Sequence, residues 1–315
     1  MEALLYTFAD VSFSFFFFSA RPKRFAAEKG VAAATTKSQQ ELEELEAEED
    51  RRVAEHLDRY WDAIESLSPE LVESATRELL PYVKSERVER MDGVLRHRTQ
   101  QCRFLFENPC NPSNVWACLR TIDSFGIQNV DIIVQSGRYK GQSAISQKRG
   151  MRTAMGSAQW LTLRNHLTTN DAVSVMREKG YKIYASDLNP NSKDIRDIEW
   201  GDDKICIVMG NENNGISEEM RQLADDTFIL PMCGFAESFN LSVATAITLA
   251  HLSACSSSSK GGDQQQGPLR PGDLDDNEVN RLRLKGIINS LANKRIAKAV
   301  LNRAGLELPP EIGWV

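Results

Sequence analysis

Three separated segments of the chain carry residue types that suit ligand binding and group transfer, and the first begins at Asn111. In it, Asn114 and Arg120 lie on a stretch whose apolar spacing predicts a helix capped by Ser113 or Asn114. A guanidinium offers five N–H donors in a fixed fork, so Arg120 is suited to gripping a phosphate. A single helix arginine is also an ordinary solvated residue, and this segment alone leaves both interpretations open.

The second segment, residues 210–217, is a Gly-Asn-Glu-Asn-Asn-Gly-Ile-Ser turn that follows an apolar run. Its glycines allow backbone amides and carbonyls to approach a ligand, and α/β proteins bind ligands at such strand ends. Ile216 and Ser217 stand where a phosphate loop has Lys-Ser/Thr, which disfavours nucleotide hydrolysis. Ser217 is instead the predicted N-cap of the next helix. A tight connection that binds nothing has the same pattern.

The third segment, residues 229–246, starts as a strand that ends at Pro231 and continues through Gly234 to Ser238 and Asn240. Small Ala and Thr residues then open a helix that can pack closely against a neighbour. Ser238 is either the N-cap of that helix or a polar group available to a ligand.

Together the three segments resemble, in order and spacing, the motifs of the SpoU/TrmH family of SPOUT methyltransferases. These motifs are Asn-x-x-x-x-x-Arg leading to Phe-Gly, Gly-x-Glu-x-x-Gly, and Leu-Pro-Met-x-Gly followed by Ser-x-Asn-x-Ser-x-Ala. The similarity spans about residues 86–254, and the lead-in 90–107 and the stretch 155–161 resemble the branch that methylates tRNA guanosine. Phe239 departs conservatively from the usual Leu.

The resemblance implies S-adenosylmethionine-dependent 2′-O-methylation of a tRNA ribose, at the D-loop guanosine conventionally numbered 18, by a homodimer. Alternatives are the same chemistry on ribosomal RNA or another tRNA position, or a non-catalytic RNA-binding scaffold. The implied catalytic residues are Arg120, Asn114 and Ser238. The implied cofactor positions lie in or beside the loops: Val134, Gly210, Asn211, Glu212, Gly215, Ile229, Leu230, Met232, Gly234, Phe239, Asn240 and Val243.

For the reaction, we expect Arg120 to grip a phosphate and orient the 2′-hydroxyl, since a protonated arginine is a poor base. The phosphate or a transiently deprotonated guanidine would accept the proton, and no metal is needed because the sulfonium supplies the leaving group. Asn114 would support Arg120, Ser238 would help to place the phosphate or hydroxyl, and Glu212 and Asn240 would organise the loops. RNA affinity is expected from phosphate contacts outside the core, at Arg87, Arg90, Arg96, Arg98, Arg103 and the C-terminal helix.

The elements that must position these residues alternate between strand and helix, which predicts an α/β domain with a parallel sheet flanked by helices. The resemblance adds a C-terminal deep trefoil knot, an exception to the general absence of knots. Predicted strands are 104–107, 130–134, 159–163, 182–186, 205–209 and 227–230, and predicted helices are 114–125, 170–179, 217–224 and 239–254.

The α/β domain is predicted to span residues 99–255, and the remaining segments are predicted to be extensions of it. Residues 1–40 read as a targeting leader or a disordered tail, which leaves a plastid, a mitochondrion or the cytoplasm open, and their apolar run is too short to span a membrane. Residues 41–98 predict a helical N-terminal extension with two helices, the second capped by Ser68, residues 256–275 a flexible linker, and 276–315 a C-terminal helical extension, helical over 276–304.

Composition neither supports nor excludes RNA as a partner. The formal charge of −6 comes from seven carboxylates in residues 41–50, and without them 38 basic residues face 37 acidic ones. The six scattered cysteines form no Cys-x-x-Cys pair, so neither a disulfide framework nor a zinc site is expected, and a reducing compartment is favoured.

Overall fold

A computed structural model describes residues 58–134, 156–258 and 265–312. The predicted leader, the acidic run and the segment that follows Val134 lie outside these described residues. Across the described ranges, no helix is both long and apolar enough to cross a membrane.

The core of the fold is a parallel sheet of seven strands in the order β3-β2-β1-β6-β4-β7-β5. The strands are β1 (Cys102–Glu107), β2 (Asn129–Ile133), β3 (Thr162–His166), β4 (Lys182–Ser186), β5 (Lys193–Asp194), β6 (Ile205–Met209) and β7 (Asp226–Ile229). The central strands β1, β2 and β6 are buried along their whole length, as expected for a sheet covered on both faces. The predicted α/β class with a parallel sheet is therefore confirmed.

Helices cover the two faces of this sheet. On one face, α4 (Pro112–Ser124) and α7 (Leu241–Cys255) pack on Phe104 and Phe106 of β1, whose side chains alternate with that of Leu105. On the other face, Leu105 meets α5 (Thr169–Glu178) and α6 (Glu218–Leu223).

The N-terminal and C-terminal helices share a separate apolar core. The helices are α1 (described over residues 58–65), α2 (Pro69–Leu79), α3 (Ser85–Leu95), α8 (Asp276–Ser290) and α9 (Lys294–Arg303). Trp61, Leu79 and Ile287 are buried among them. The ion pair between Arg283 Nε and Asp92 Oδ1, at 2.6 Å, also joins the two ends of the chain. The two extensions thus form one helical layer.

Several element boundaries differ from the sequence predictions for identifiable reasons. The strand predicted at 159–163 is present but lies three residues later, because Ser157–Gln159 forms a 3₁₀ turn and β3 begins only at Thr162. The single helix predicted at 276–304 is two helices, since Asn293 leaves the helical conformation and caps α9 by accepting from Arg295 N at 2.8 Å. Ser68 caps α2 as predicted, accepting from Leu71 N, and α3 is an additional helix.

The described part of the predicted linker packs against the sheet domain. It includes the two-residue strands β8 (Ser257–Ser258) and β9 (Gln265–Gln266), which pair antiparallel. Leu269 is buried in the core, and Asp273 Oδ1 accepts from Gln100 N at 2.8 Å. The described residues of this segment are thus packed, whereas the sequence predicts a flexible linker over residues 256–275.

Candidate functional site

Hydrogen bonds join the three sequence segments at the carboxyl ends of β1 and β6. The carboxylate of Glu212 accepts from Cys110 N at 2.6 Å, from Asn111 N at 3.2 Å and from Asn114 Nδ2 at 3.0 Å. The amide of Asn240 donates in turn to Asn114 Oδ1 at 3.1 Å. One chain of polar contacts, Glu212 to Asn114 to Asn240, therefore connects all three segments.

The helix caps around this chain correct two sequence expectations. Asn111 caps α4 by accepting from Ser113 N at 2.9 Å, so the predicted cap at Ser113 or Asn114 is wrong. Pro112 occupies the first turn of α4, where its missing N–H costs nothing, and this places the cap at the preceding residue. Asn240 caps α7 by accepting from Ser242 N at 2.9 Å, so Ser238 is not the cap of that helix.

The turn after β6 is closed by its own backbone. Asn211 and Gly215 exchange two N–H···O bonds of 2.9 Å, and Asn211 Oδ1 accepts from Asn213 N at 2.8 Å. A Cβ on Gly210 would lie 2.4 Å from the carbonyl carbon of Gly215, so only glycine fits there. Gly215 has a φ of +67°, a conformation that glycine adopts without strain.

Glu107, at the end of β1, fixes the far end of this turn and is a residue that the sequence did not reveal as functional. Its side chain is 1% exposed and accepts from Ser217 N at 2.8 Å, from Ser217 Oγ at 2.6 Å and from Thr169 Oγ1 at 2.9 Å. Ser217 Oγ also accepts from Met220 N at 3.0 Å, which confirms it as the cap of α6. The sequence signal was a carboxylate that ends an apolar strand.

A cavity of about 660 Å³ lies between the end of β1 and the turn after β6. Asn211 and Gly215 are the predicted cofactor residues that line it, together with Glu107, Asn108, Pro109, Cys110, Asn213, Asn214, Ile216 and Ser217. The thiol of Cys110 accepts from Asn211 Nδ2 at 2.8 Å.

Arg120 projects from the exposed side of α4, the helix that begins at the polar chain. Val115, Trp116 and Leu119 bury the opposite side of the helix in the core, which fixes its orientation. Within the part of the chain that the structure describes, the guanidinium of Arg120 has no ion-pair partner. The side chain is thus available to an anion.

The third segment forms an exposed loop between β7 and α7. Residues 231–239 make no hydrogen bond to other described residues, and Ser238 and Gly234 are exposed. Ile229 ends β7 and Leu230 is buried beneath the loop, whereas Met232 is half-buried.

Some predicted site residues remain apart from the polar chain. No hydrogen bond links Ser238 or Val134 to it among the described residues, and Val134 N donates to His166 O at 3.0 Å. Phe239 and Val243 face outward.

Contacts between α4 and α7 hold the first and third segments together below the site. Thr245 Oγ1 donates to Cys118 Sγ at 3.4 Å in the core. Burial raises the pKa of the Cys118 thiol to about 12, so the group stays protonated and acts as a small apolar residue.

Two arginines expected to contact RNA are buried, and that expectation is wrong for them. Arg98 is 2% exposed and pairs with Asp123, and its Nη1 donates to Ile127 O at 3.0 Å. Arg103 is 4% exposed, and its Nη1 lies 3.2 Å from Asp131 Oδ2. Each cation meets a carboxylate far away in the sequence, and sequence spacing could not indicate these pairs.

Comparisons with known proteins match a region that contains all three segments. Residues 101–250 match the sequence profile of the SpoU rRNA Methylase family. The tRNA (guanosine(18)-2′-O)-methyltransferase of Escherichia coli K12 is 33% identical over 163 residues, which cover 52% of this chain and 67% of that protein. The Thermus thermophilus protein of the same name is 32% identical over 160 residues, which cover 51% of this chain and 78% of that protein.

Among solved structures, the A. aeolicus TrmH/SpoU tRNA modifying enzyme aligns with a TM-score of 0.55 and 24% identity. The alignment covers 66% of this chain and 98% of that one, which shows a shared fold.

Proposed function

The chain belongs to the SpoU methylase family, and from this premise we propose that it transfers a methyl group from S-adenosylmethionine to a ribose 2′-hydroxyl of tRNA, at guanosine 18. The observation that carries the proposal is the polar chain from Glu212 through Asn114 to Asn240. It holds together the three segments on which the family resemblance depends. Arg120, whose guanidinium has no ion-pair partner among the described residues, lies on the helix that begins there.

The described residues fit a donor of this kind. S-adenosylmethionine supplies an activated methyl group on a sulfonium. The backbone amides and carbonyls of residues 231–239, which have no protein partners among the described residues, are free to bind its polar groups. The Gly210–Gly215 turn offers a further surface, since Asn211 and Gly215 line the cavity of about 660 Å³. We therefore assign donor binding to these two loops.

The chain's own residues have distinct tasks in the proposed reaction. Arg120 binds a phosphate of the RNA and orients the hydroxyl, which fixes the attacking oxygen in line with the methyl group. Asn114 and Glu212 fix the start of α4 and thereby the position of Arg120. Ser238, exposed on the third loop, lies outside the polar chain and is assigned to contact the RNA or its hydroxyl.

We propose that the active form is a homodimer built on the exposed side of α7. Val243 and Ile247 are 45% and 37% exposed and lie four residues apart on α7, which places them in one stripe along the helix. Phe239, which is 38% exposed, lies just before the Asn240 cap of this helix. A second copy would bury this stripe together with Phe235. The measurement is the molar mass of Ile247→Asp by light scattering, with Val94→Asp, which changes a valine of α3 that is 48% exposed, as the control. A monomeric wild type, or a dimeric Ile247→Asp variant, would contradict the dimer.

The C-terminal trefoil knot that the family resemblance implies is also a proposal. After β7, near one edge of the sheet, the chain crosses to α7, which packs against α4 over the central strands. This crossing is what supports a threaded path. A backbone trace of a crystal structure that pulls straight when both ends are extended would contradict it.

The activity is tested with purified protein, labelled S-adenosylmethionine and either total tRNA or ribosomal RNA, followed by mapping of the methylated ribose. We expect label at guanosine 18 of tRNA. At saturating tRNA and donor, Arg120→Ala should lower the rate about a hundredfold or more, because transition-state contacts of this kind contribute that much.

The control for Arg120→Ala is Arg77→Ala, which removes an exposed helix arginine of α2 and should leave the rate unchanged. A near wild-type rate for Arg120→Ala would refute the role of this residue. No label in either RNA would refute the activity and favour an RNA-binding scaffold.

A further inference from the structure

A second cavity, of about 520 Å³, lies at the opposite edge of the sheet from the proposed methyl-transfer site. Its walls include Asn129 and Thr162, the first residues of β2 and β3, and residues of α1 and α8. The strands between the two edges are five or six residues long, so about 15 Å separates the cavity from the carboxyl ends. The cavity is therefore distinct from the site assigned above.

Two lysines that form no ion pair among the described residues line one side of this cavity. Lys179 and Lys204 have no ion pair within the described ranges of the chain, and both face the cavity together with Arg103. Arg103 and Lys204 each contact the ring of Tyr181, with 5.3 and 5.5 Å between the cation and the ring centre. An anion in the cavity would lessen the repulsion among these like charges.

A buried donor without a partner also points to a ligand. The Nε atom of Arg103 is inaccessible to solvent and has no hydrogen-bond partner among the described residues, although Asp131 engages the Nη1 atom. An unsatisfied buried donor is costly, and proteins normally satisfy such groups. Burial and the charge of Arg103 lower the pKa of Lys179, against the smaller opposing effects of Asp131 and Glu65.

The acidic side chains that line the cavity repel an anion less than free carboxylates would. Glu65 is paired with Arg164 at 2.8 Å, and Asp275 accepts from Glu278 N at 2.8 Å as the cap of α8. Burial, with Asp275 and Glu65 nearby, raises the pKa of Glu278 to about 7, against the smaller opposing effect of Arg103. Glu278 therefore carries only part of its charge at neutral pH.

We propose that this cavity binds a small tetrahedral oxyanion of the phosphate class, held between Arg103, Lys179 and Lys204. The group reaches the cavity on a free small molecule, since Arg103 is buried away from an RNA backbone. The anion neutralises Lys179 and Lys204, whereas Asp131 already pairs with Arg103.

Calorimetric titration of the full chain with inorganic phosphate and with sulfate tests the proposal. We expect saturable binding that weakens at least about tenfold in the double variant Lys179→Ala/Lys204→Ala, because two charged contacts are lost. The matched control is Lys182→Ala/Lys193→Ala, which removes two exposed lysines that pair with Asp203 and Asp226 outside the cavity and should leave binding unchanged. No saturable binding to the wild type, or equal weakening in both double variants, would overturn the proposal.

Two further experiments identify the source of the anion and the place where it binds. Displacement of sulfate by tRNA would contradict a small-molecule site, whereas simultaneous binding of sulfate and tRNA would support it. Sulfate does not titrate near neutrality, yet it should bind more tightly at pH 6 than at pH 8, since protonation of Glu278 removes a repelling charge that Asp273, Asp275 and Glu65 reinforce. Glu278→Gln should abolish this pH dependence, and an unchanged pH dependence would place the anion elsewhere.

Discussion

Replacing Gly210 with alanine would place a methyl group inside the backbone of its own turn. The added Cβ would lie 2.4 Å from the carbonyl carbon of Gly215, 2.5 Å from Ile216 N and 2.6 Å from Gly215 O. Carbon atoms in contact normally stay about 3.5 to 4.0 Å apart. Because all three neighbours are backbone atoms, no side-chain rotation can relieve the clash, and the turn must shift by about 1 Å.

The cost of this shift follows from what the turn loses. Overpacking alone destabilises by about 1 to 3 kcal/mol. The shift also weakens the paired backbone bonds between Asn211 and Gly215, each of which contributes about 1 kcal/mol. We expect a total loss of about 3 kcal/mol, which lowers the melting temperature by about 6 to 12 °C in a domain of this size. Donor affinity should fall at least about tenfold, since a displacement of 1 Å disrupts a positioned site.

Thermal unfolding and calorimetric titration with S-adenosylmethionine measure the two effects. The matched control is Gly93→Ala in α3, where the new Cβ meets nothing within 4 Å. This identical chemical change should raise stability by about 0.5 to 1 kcal/mol, because glycine is unfavourable within a helix. A Gly210→Ala variant that melts and binds the donor like the wild type would refute the close approach on which the assignment of this loop depends.

Three other perturbations test the structure at separate places. Ser217→Ala should cost about 2 to 3 kcal/mol in unfolding free energy, because it removes the cap of α6 and the hydroxyl's hydrogen bond to buried Glu107, while the backbone N–H bond to Glu107 remains; Ser217→Thr is the control that keeps the hydroxyl. Gly286→Ala should cost about 1 to 3 kcal/mol, since the Cβ would lie 2.7 Å from the ring of Trp160, and a neutral effect in denaturant unfolding would disprove this packing. For Glu278, the folded-state pKa of about 7 exceeds the ordinary 4.5, so stability is fully present at low pH and falls by about 3 kcal/mol as pH rises to 7. Glu278→Gln should flatten that part of the stability curve, and an unchanged curve would assign the pH dependence to other groups.

Local patterns in the sequence were sufficient for the elements around the site. Strands β4 and β6 have the predicted bounds. β6 is a short apolar run that is buried along its length, and in β4 the buried side chains of Ile183 and Ala185 alternate with more exposed ones. Ser68 and Ser217 cap their helices as predicted, since each cap requires only a polar side chain just before an apolar helical face. The glycine turn after β6 is equally local.

Long-range pairing was beyond the reach of the sequence. Arg98 and Arg103 look like surface cations until Asp123 and Asp131 are placed against them by the fold. The shared core of the two helical extensions is of the same kind, since Arg281 Nη2 donates to Leu67 O across most of the chain, at 2.9 Å. The spacing of apolar residues on a helix does not indicate which partner will cover that face.

The directions of the hydrogen bonds that link Glu212, Asn114 and Asn240 explain why Asn114, the middle residue of the three, is an amide. Asn114 must donate to a carboxylate through Nδ2 and accept from Asn240 Nδ2 through Oδ1. An aspartate there would place a second negative charge against Glu212, and a leucine would leave both neighbours without a partner. Only a short side chain with a donor and an acceptor satisfies both ends at once. The residue types of Asn114, Glu212 and Asn240 therefore follow from a single requirement, that the start of α4, the turn after β6 and the start of α7 be held together.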